Sequence, residues 1–142
     1  MKYLKVFENY TSKKELQDFC NNYLAYLIDS GVKVIVKGEY AFSIFIGNLN
    51  ISFEDSINFN HSKNTIGLNW SDIKDDIIPF TIMLKDKYNI EYIRFRKLNN
   101  VNASRYSSEK FEGESYDIEL DDIIKDKVSD IDNIYYIRID VS

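Results

Sequence analysis

The sequence predicts an α+β fold: a single two-layer domain over residues 1–142, with a mainly antiparallel sheet packed against two main helices and one short C-terminal helix. The length of 142 residues suits one domain. A hydrophobic content of 44%, with 15% aromatic residues, supplies enough apolar side chains for a core. Finally, the apolar period alternates between helical and strand spacing along the chain, and no linker or repeat divides it.

The first element is a predicted helix over residues 13–29. Ser12 and Glu15 have the spacing of a capping box, in which both side chains satisfy free amides at a helix start. Gly31 stands where a left-handed C-terminal cap belongs. Apolar residues recur at steps of three and four and so form one face of the helix: Leu16, Phe19, Cys20, Tyr23, Leu24, Leu27 and Ile28.

The next segments alternate with period two, which predicts strands. Residues 32–36 and 40–46 flank a turn at Gly38-Glu39 and form a predicted hairpin. A second turn at Gly47-Asn48 leads to Leu49, Ile51 and Phe53. We therefore expect a three-stranded antiparallel meander beneath the first helix. Residues 55–64 are polar and expected to be exposed, and 65–69 are a predicted short edge strand.

A second main helix is predicted over residues 72–87, with Ser71 as its N-cap. One stripe contains Ile73, Ile77, Phe80, Leu84 and Tyr88. Pro79 lies within this span and removes a backbone hydrogen bond, so the helix is expected to bend there or to divide in two.

The last third begins with a predicted strand at 90–96. Residues 97–115 lack a clear period, and a loop of that length in a compact domain often binds a ligand. A strand at 116–120 should precede a short helix that Asp121 or Asp122 caps and that ends near Ser129. Residues 134–141 alternate as a final strand.

Residues that usually carry catalysis or bind metals are scarce. His61 is the single histidine and Cys20 the single cysteine, whereas metal sites and nucleophile–base pairs mostly need several such side chains. We therefore predict no catalytic residue, metal or cofactor, and place His61 on the surface and Cys20 in the core.

The same sequence indicates where the protein works. A lone cysteine forms no internal disulfide, and residues 1–10 lack the apolar run of a signal peptide, so we expect a reducing cytosol. No stretch approaches the roughly eighteen apolar residues that span a bilayer, so no membrane partner is expected.

The first candidate binding residues are basic: Arg94, Arg96, Lys97 and Arg105, with Tyr92 and Tyr106 near them in sequence. Arginine forks suit phosphate and carboxylate, and an aromatic neighbour can stack a ring. The alternative is that Arg94 and Arg96 line the solvent face of a strand and pair with the acidic C-terminal third.

The second candidate set is acidic. Between Glu109 and Asp132 ten acidic residues stand against three lysines, a local charge of −7. The candidates for binding are Asp117, Glu119, Asp121 and Asp122. They could mimic a nucleic-acid backbone and occupy a basic groove of a partner, bind a divalent cation through their carboxylates, or simply form a solvated face. The overall charge of −5 and pI near 4.9 argue against direct nucleic-acid binding.

Two segments carry a family resemblance. Residues 1–9 read MKYLKVFEN and residues 70–80 read WSDIKDDIIPF, and together they resemble small uncharacterised proteins encoded by tailed bacteriophages. The resemblance implies phage origin and a location in the host cytoplasm or the virion, and it brings no activity or site residues.

Three function hypotheses remain. The first is a non-enzymatic phage accessory protein that acts through protein–protein contacts, as a virion component or an adaptor. The second is a host-directed inhibitor whose acidic surface blocks a nucleic-acid-binding host protein. The third is a small hydrolase with carboxylate catalysis.

Overall fold

The computed structural model describes residues 12–51, 57–58, 66–98 and 115–142, and it confirms the α+β class. The elements in chain order are α1 (Ser12–Tyr23), α2 (Ala25–Asp29), β1 (Lys33–Gly38), β2 (Phe42–Gly47), β3 (Asn50–Ile51), β4 (Ile57–Asn58), α3 (Trp70–Lys87), β5 (Ile90–Lys97), β6 (Ser115–Asp117), α4 (Leu120–Ile124) and β7 (Ile134–Val141). Five strands form one sheet in the order β1-β2-β7-β5-β6, with every neighbouring pair antiparallel.

The first predicted helix is confirmed as α1 followed by α2. Leu24 separates the two, yet its amide donates to the Cys20 carbonyl at 2.9 Å, so the hydrogen-bond ladder continues. Gly31 has φ +106°, and the Val32 amide donates to the Leu27 carbonyl at 3.0 Å. This is the predicted left-handed cap, which glycine adopts without a Cβ penalty. The capping side chain of Ser12 lies outside the described residues.

The β1–β2 hairpin is confirmed, but the predicted meander is wrong. The free edge of β2 pairs with β7, from Phe42 opposite Val141 to Gly47 opposite Tyr136. The chain after Gly47 instead forms β3, which pairs with β4 in a separate two-stranded sheet. Gly47 permits the close pairing of β2 with β7, because a Cβ at this position would overlap the β7 backbone. Phe53 lies outside the described residues.

Helix α3 confirms the second main helix, with an earlier start than predicted. Its N-cap is Asn69, which has extended backbone angles, and Ser71 lies inside the helix instead of capping it. The 18 residues form one helix through Pro79, whose ring is on the exposed side. Its buried residues are Trp70, Ile73, Ile77, Phe80, Thr81 and Leu84.

The strands of the last third are confirmed at β5 and β7, and the short helix needs a correction. Helix α4 ends at Ile124, not near Ser129, because Asp126 adopts φ 54° and the Lys127 amide donates to the Asp122 carbonyl at 2.7 Å. Its N-cap is Glu119 instead of either predicted aspartate. The strand predicted at 116–120 is β6, at 115–117.

The edge strand predicted at 65–69 is reduced to one bridge among the described residues. Leu68 and Ile134 exchange amide hydrogen bonds at 2.8 and 2.7 Å. Residues 52–56, 59–65 and 99–114 lie outside the described part of the chain. Several residues with predictions therefore lie outside the described residues: His61, Arg105, Tyr106 and most of the 97–115 loop.

The main core lies between the helices and one face of the five-stranded sheet. Strand positions of one parity, such as Ile44, Phe95 and Ile139, pack against Leu16, Phe80 and other helix residues. Among the described residues no helix packs on the opposite side, which we call the helix-free face. It carries a smaller apolar cluster of Ile35, Phe45, Leu49, Tyr135 and Tyr136.

A β-bulge explains why two consecutive tyrosines join the smaller cluster. Arg96 pairs with Tyr136 and Lys97 with Ile134, so Tyr135 is an extra residue in β7. An extra residue interrupts strict alternation and turns neighbouring side chains to one face.

None of the helices in the described ranges is long and apolar enough to cross a membrane.

Candidate functional site

An acidic groove of about 620 Å³ lies between β6 and the connection from α4 to β7. Among the described lining residues, the carboxylates are Asp117, Glu119, Asp122, Asp130 and Asp132, and the cations are Lys97 and Lys127. All five carboxylate residues are exposed. We call this site the acidic groove below.

The sheet and α4 position the first three carboxylates. Asp117 lies opposite Arg94 in the β5–β6 pair, and the Ile118 amide extends that pairing by donating to the Ile93 carbonyl at 2.9 Å. The chain then enters α4 at its N-cap, Glu119, which leaves Asp122 in the first turn. Negative side chains at this end of a helix are favoured by its dipole.

The other wall is anchored to the start of α3. The Trp70 amide donates to the Ile131 carbonyl at 2.8 Å, and the Ser71 amide donates to the Asp130 carboxylate at 3.3 Å. Two hydrogen bonds to successive amides fix the segment that carries Asp130 and Asp132. The shape of the groove therefore depends on the α3 N-terminus, which is distant in sequence.

Apolar side chains form the floor of the groove. Ile118, Val128 and Ile131 are half-buried and pack on the main core. Tyr116, with 37% of its surface exposed, lies beside them. An apolar floor with a polar rim is the arrangement found at binding sites for peptides and small molecules.

Ion pairs reduce part of the charge at the rim. Lys97 Nζ lies 3.2 Å from Asp132 Oδ1, and Arg94 Nε donates to Asp117 Oδ1 at 3.0 Å. Hydrogen bonds from Arg94 and Tyr92 hold the pKa of the Asp117 carboxyl below its usual value. Asp117 is therefore ionised at neutral pH.

The predicted basic cluster does not converge on one site. Arg94 and Arg96 point to the helix-free face, where Arg96 Nη1 donates to Ser115 Oγ at 3.2 Å. Lys97 lies on the other side of the sheet, in the acidic groove. Arg94 and Lys97 both pair with the acidic C-terminal third, which is the alternative that the sequence left open.

The predicted acidic residues do largely converge. Asp117, Glu119 and Asp122 line one groove, while Asp121 is exposed on α4 and does not line it. The sequence did not single out Asp130 and Asp132 as binding residues. They belong to the same acidic run, so charge counting included them, but no local pattern showed that they face Asp117.

Within the described ranges no group of three or more His, Cys, Asp or Glu side chains is arranged to hold a metal ion. Cys20 is buried in the main core, as predicted.

Comparisons of the chain with protein-family models, curated proteins and solved structures found no match.

Proposed function

We propose that this chain is a non-enzymatic accessory protein that acts through protein–protein contacts, with the acidic groove as its binding surface. The observation that carries the proposal is the combination of five rim carboxylates with an apolar floor in one groove. The partner is a protein segment that presents lysine or arginine beside apolar side chains.

Charge complementarity is the first argument for such a partner. After the Lys97–Asp132 and Arg94–Asp117 pairs are both discounted, three described lining carboxylates remain, Glu119, Asp122 and Asp130, against one described lining cation, Lys127. Complementary potentials raise association rates and exclude partners of like charge. A basic segment is therefore favoured over an acidic one.

The apolar floor is the second argument. Partly exposed side chains such as Tyr116 and Ile131 gain contacts when a partner removes water from them. A solvated acidic face without a floor would offer only screened ion pairs, which contribute little.

Phage origin is part of the proposal and is supported by the resemblance of the first nine residues and of residues 70–80. The second of these segments is the start of α3 and supplies the buried residues Trp70, Ile73, Ile77 and Phe80. We place the protein in the host cytoplasm or in the virion. Mass spectrometry of purified virions distinguishes the two locations, since an adaptor is absent from the particle.

A second candidate function uses the same groove: a host-directed inhibitor that blocks a nucleic-acid-binding protein. The observation that favours it is the row of carboxylates on a short edge strand and helix start, which resembles successive phosphates in charge. An inhibitor and an adaptor differ in one measurable respect. Added oligonucleotide should release the partner of an inhibitor, whereas it should leave the partner of an adaptor bound.

Carboxylate catalysis gains no support from the acidic groove. A carboxyl that acts as a general acid needs a raised pKa. The pKa of Asp117 is lowered by hydrogen bonds from Arg94 and Tyr92, which is the opposite direction.

The test compares three proteins as bait in a bacterial lysate, followed by mass spectrometry of what is retained. The first is the wild type. The second, the rim variant, has three substitutions in the groove, Asp117→Asn, Glu119→Gln and Asp122→Asn, and one beside it, Asp121→Asn. The third, the matched control, loses the same charge at four exposed residues away from the groove: Asp18→Asn, Asp29→Asn, Asp75→Asn and Asp86→Asn.

We expect the wild type and the matched control to retain a basic protein. The rim variant should not retain it. Retention should also fall as salt is raised, because ions screen contacts between exposed charges. Circular dichroism and urea unfolding check that the rim variant is folded. Equal retention by the rim variant and the wild type would rule out the acidic groove as the binding surface.

A further inference from the structure

The helix-free face has the opposite charge to the acidic groove. Among the described strand residues its cations are Lys33, Lys37, Arg94, Arg96 and Arg138, assigned from strand register and alternation. Its carboxylates are Asp117, Asp140 and Glu91, the last as the extra residue of a bulge in β5. Five cations against three carboxylates give this set of residues a positive charge, although the chain as a whole carries −5. The face therefore suits an anionic ligand.

Arginines and aromatic rings alternate along the middle of this face. The guanidinium carbon of Arg138 lies 5.6 Å from the Phe45 ring centre and 6.0 Å from that of Tyr92. The guanidinium carbon of Arg94 lies 4.9 Å from the centre of the same Tyr92 ring. Stacked guanidinium and aromatic planes recur on surfaces that bind nucleobases.

One end of the helix-free face forms a groove of about 460 Å³, which we call the basic groove. The described residues that line it are Lys37, Gly38, Ala41, Ser43, Phe45, Ile57 and Arg138, which supply two cations and several apolar atoms. Asp140 bonds to two of them, Arg138 and Ser43. Its volume lies within the range of small-molecule sites, roughly 300–1,000 Å³. Inorganic phosphate alone would leave most of it empty.

Hydrogen-bonding capacity remains at Arg138. Its Nε and Nη2 atoms donate to the two Asp140 oxygens at 2.9 and 3.1 Å, which fixes the guanidinium plane. Asp140 also accepts from Ser43 Oγ at 2.7 Å. Two of the five guanidinium N–H groups are used by these bonds, and the others have no hydrogen-bond partner among the described residues.

The hairpin tip adds an aromatic side chain beside the basic groove. Tyr40 is 85% exposed and lies between Gly38 and Ala41, two of the lining residues. Glu39, also exposed, is the nearest carboxylate in sequence and lies at the tip instead of in the lining. An exposed tyrosine at such a position can stack on a planar ligand with little cost in side-chain entropy.

We propose that the basic groove binds a nucleoside phosphate, with the phosphate at Lys37 and Arg138 and the base against the apolar lining. The ligand is either a free nucleotide or one unit of a single strand, since both present this chemistry. This inference goes beyond the acidic groove, and neither site depends on the other.

The experiment is isothermal titration of the full chain with adenosine monophosphate, adenosine, inorganic phosphate and a ten-residue oligothymidine. Adenosine monophosphate should bind at least about tenfold more tightly than adenosine or phosphate, because both halves of the ligand contribute. Binding of the oligonucleotide in competition with adenosine monophosphate would assign the strand as the source. Binding of the mononucleotide without the strand would assign the free nucleotide.

Two matched substitutions test the location. Lys37→Gln and Lys33→Gln remove the same charge from the same face of β1, and only Lys37 lines the basic groove. We expect Lys37→Gln to weaken binding about tenfold and Lys33→Gln less than about twofold. Equal losses would indicate a diffuse charge effect and overturn the proposal. It is also overturned if adenosine monophosphate shows no binding at millimolar concentration.

Discussion

Cys20 illustrates how burial decides the chemistry of a single residue. It lies fully buried in the main core, and burial raises the pKa of its thiol from 9.0 to about 12. The thiolate is the reactive form, so the folded chain protects its one thiol.

We therefore predict that Cys20 reacts with a disulfide reagent near neutral pH at least about a hundredfold more slowly in the native chain than in urea. Because the sequence has one cysteine, the assay reports this site alone. Equal rates in the two conditions would show that the α1 core opens easily.

The raised pKa of the Cys20 thiol also predicts that the free energy of unfolding depends on pH. Since the folded-state pKa is raised, the stabilisation that it provides is complete below about pH 9 and is lost as pH rises toward 12. Urea unfolding of the wild type should therefore show a loss of stability between about pH 8 and about pH 10 that the Cys20→Ala variant shows to a smaller extent. Parallel curves for the two proteins would contradict the buried thiol.

Two glycines provide a second test at the scale of residues. Gly31 and Gly38 both have positive φ, +106° and +116°, but a Cβ at Gly31 has open space whereas one at Gly38 overlaps the Ala41 carbonyl. Gly31→Ala should cost about 1 kcal/mol of unfolding free energy, and Gly38→Ala about 3 kcal/mol or more, measured by urea unfolding. Equal costs would mean that the hairpin relaxes around the added methyl.

At the scale of elements, the outer edge of β1 is closed by a side chain. Gln17 of α1 donates from Nε2 to the Val34 carbonyl at 3.2 Å and accepts from the Val36 amide at 2.9 Å. One amide group thus takes the place of a peptide unit from a neighbouring strand. Because unpaired strand edges promote association between chains, we infer that Gln17 opposes it at β1.

We predict that Gln17→Ala lowers the unfolding free energy by about 1–2 kcal/mol, because two backbone groups lose their partners. The variant should also associate with increasing concentration, as measured by light scattering. Asn22→Ala, at an exposed position of the same helix, is the control and should remain monomeric to the same extent as the wild type. A Gln17 variant that scatters like the control would show that α1 itself covers the edge.

The elements also show how far the sequence could predict the fold. Hydrophobic period and glycine turns located α1, α2, the β1–β2 hairpin, α3, β5 and β7, because these signals are local. The pairing of β2 with β7 joins positions such as Phe42 and Val141. Alternation indicates which face of a strand is buried, but it does not name the neighbouring strand.

Element ends were predicted less well where an unusual residue terminates a helix. Asp126 adopts the left-handed conformation that ends α4, and aspartate is a much weaker sequence signal for this role than glycine. Asn69 caps α3 two residues before Ser71, the predicted N-cap.

At the scale of the whole molecule, the chain separates its charges between two surfaces. The acidic groove gathers five carboxylates at the β6 edge, and the basic groove gathers Lys37 and Arg138 on the helix-free face. Counting charges predicted the acidic run but not its convergence, because Asp130 reaches the groove only through the α3 N-terminus. The helix-free face was missed because Arg138 lies alone among apolar residues in sequence.

We propose that the protein binds its partner through the acidic groove. Hydrogen–deuterium exchange of the chain, alone and with the partner that the wild type retains, locates the bound surface. We expect exchange to slow on binding at residues 115–119 and 127–132 and to stay unchanged in α1 and α2. Protection confined to α1 and α2, with the acidic groove exchanging as in the free chain, would rule out the groove as the binding surface.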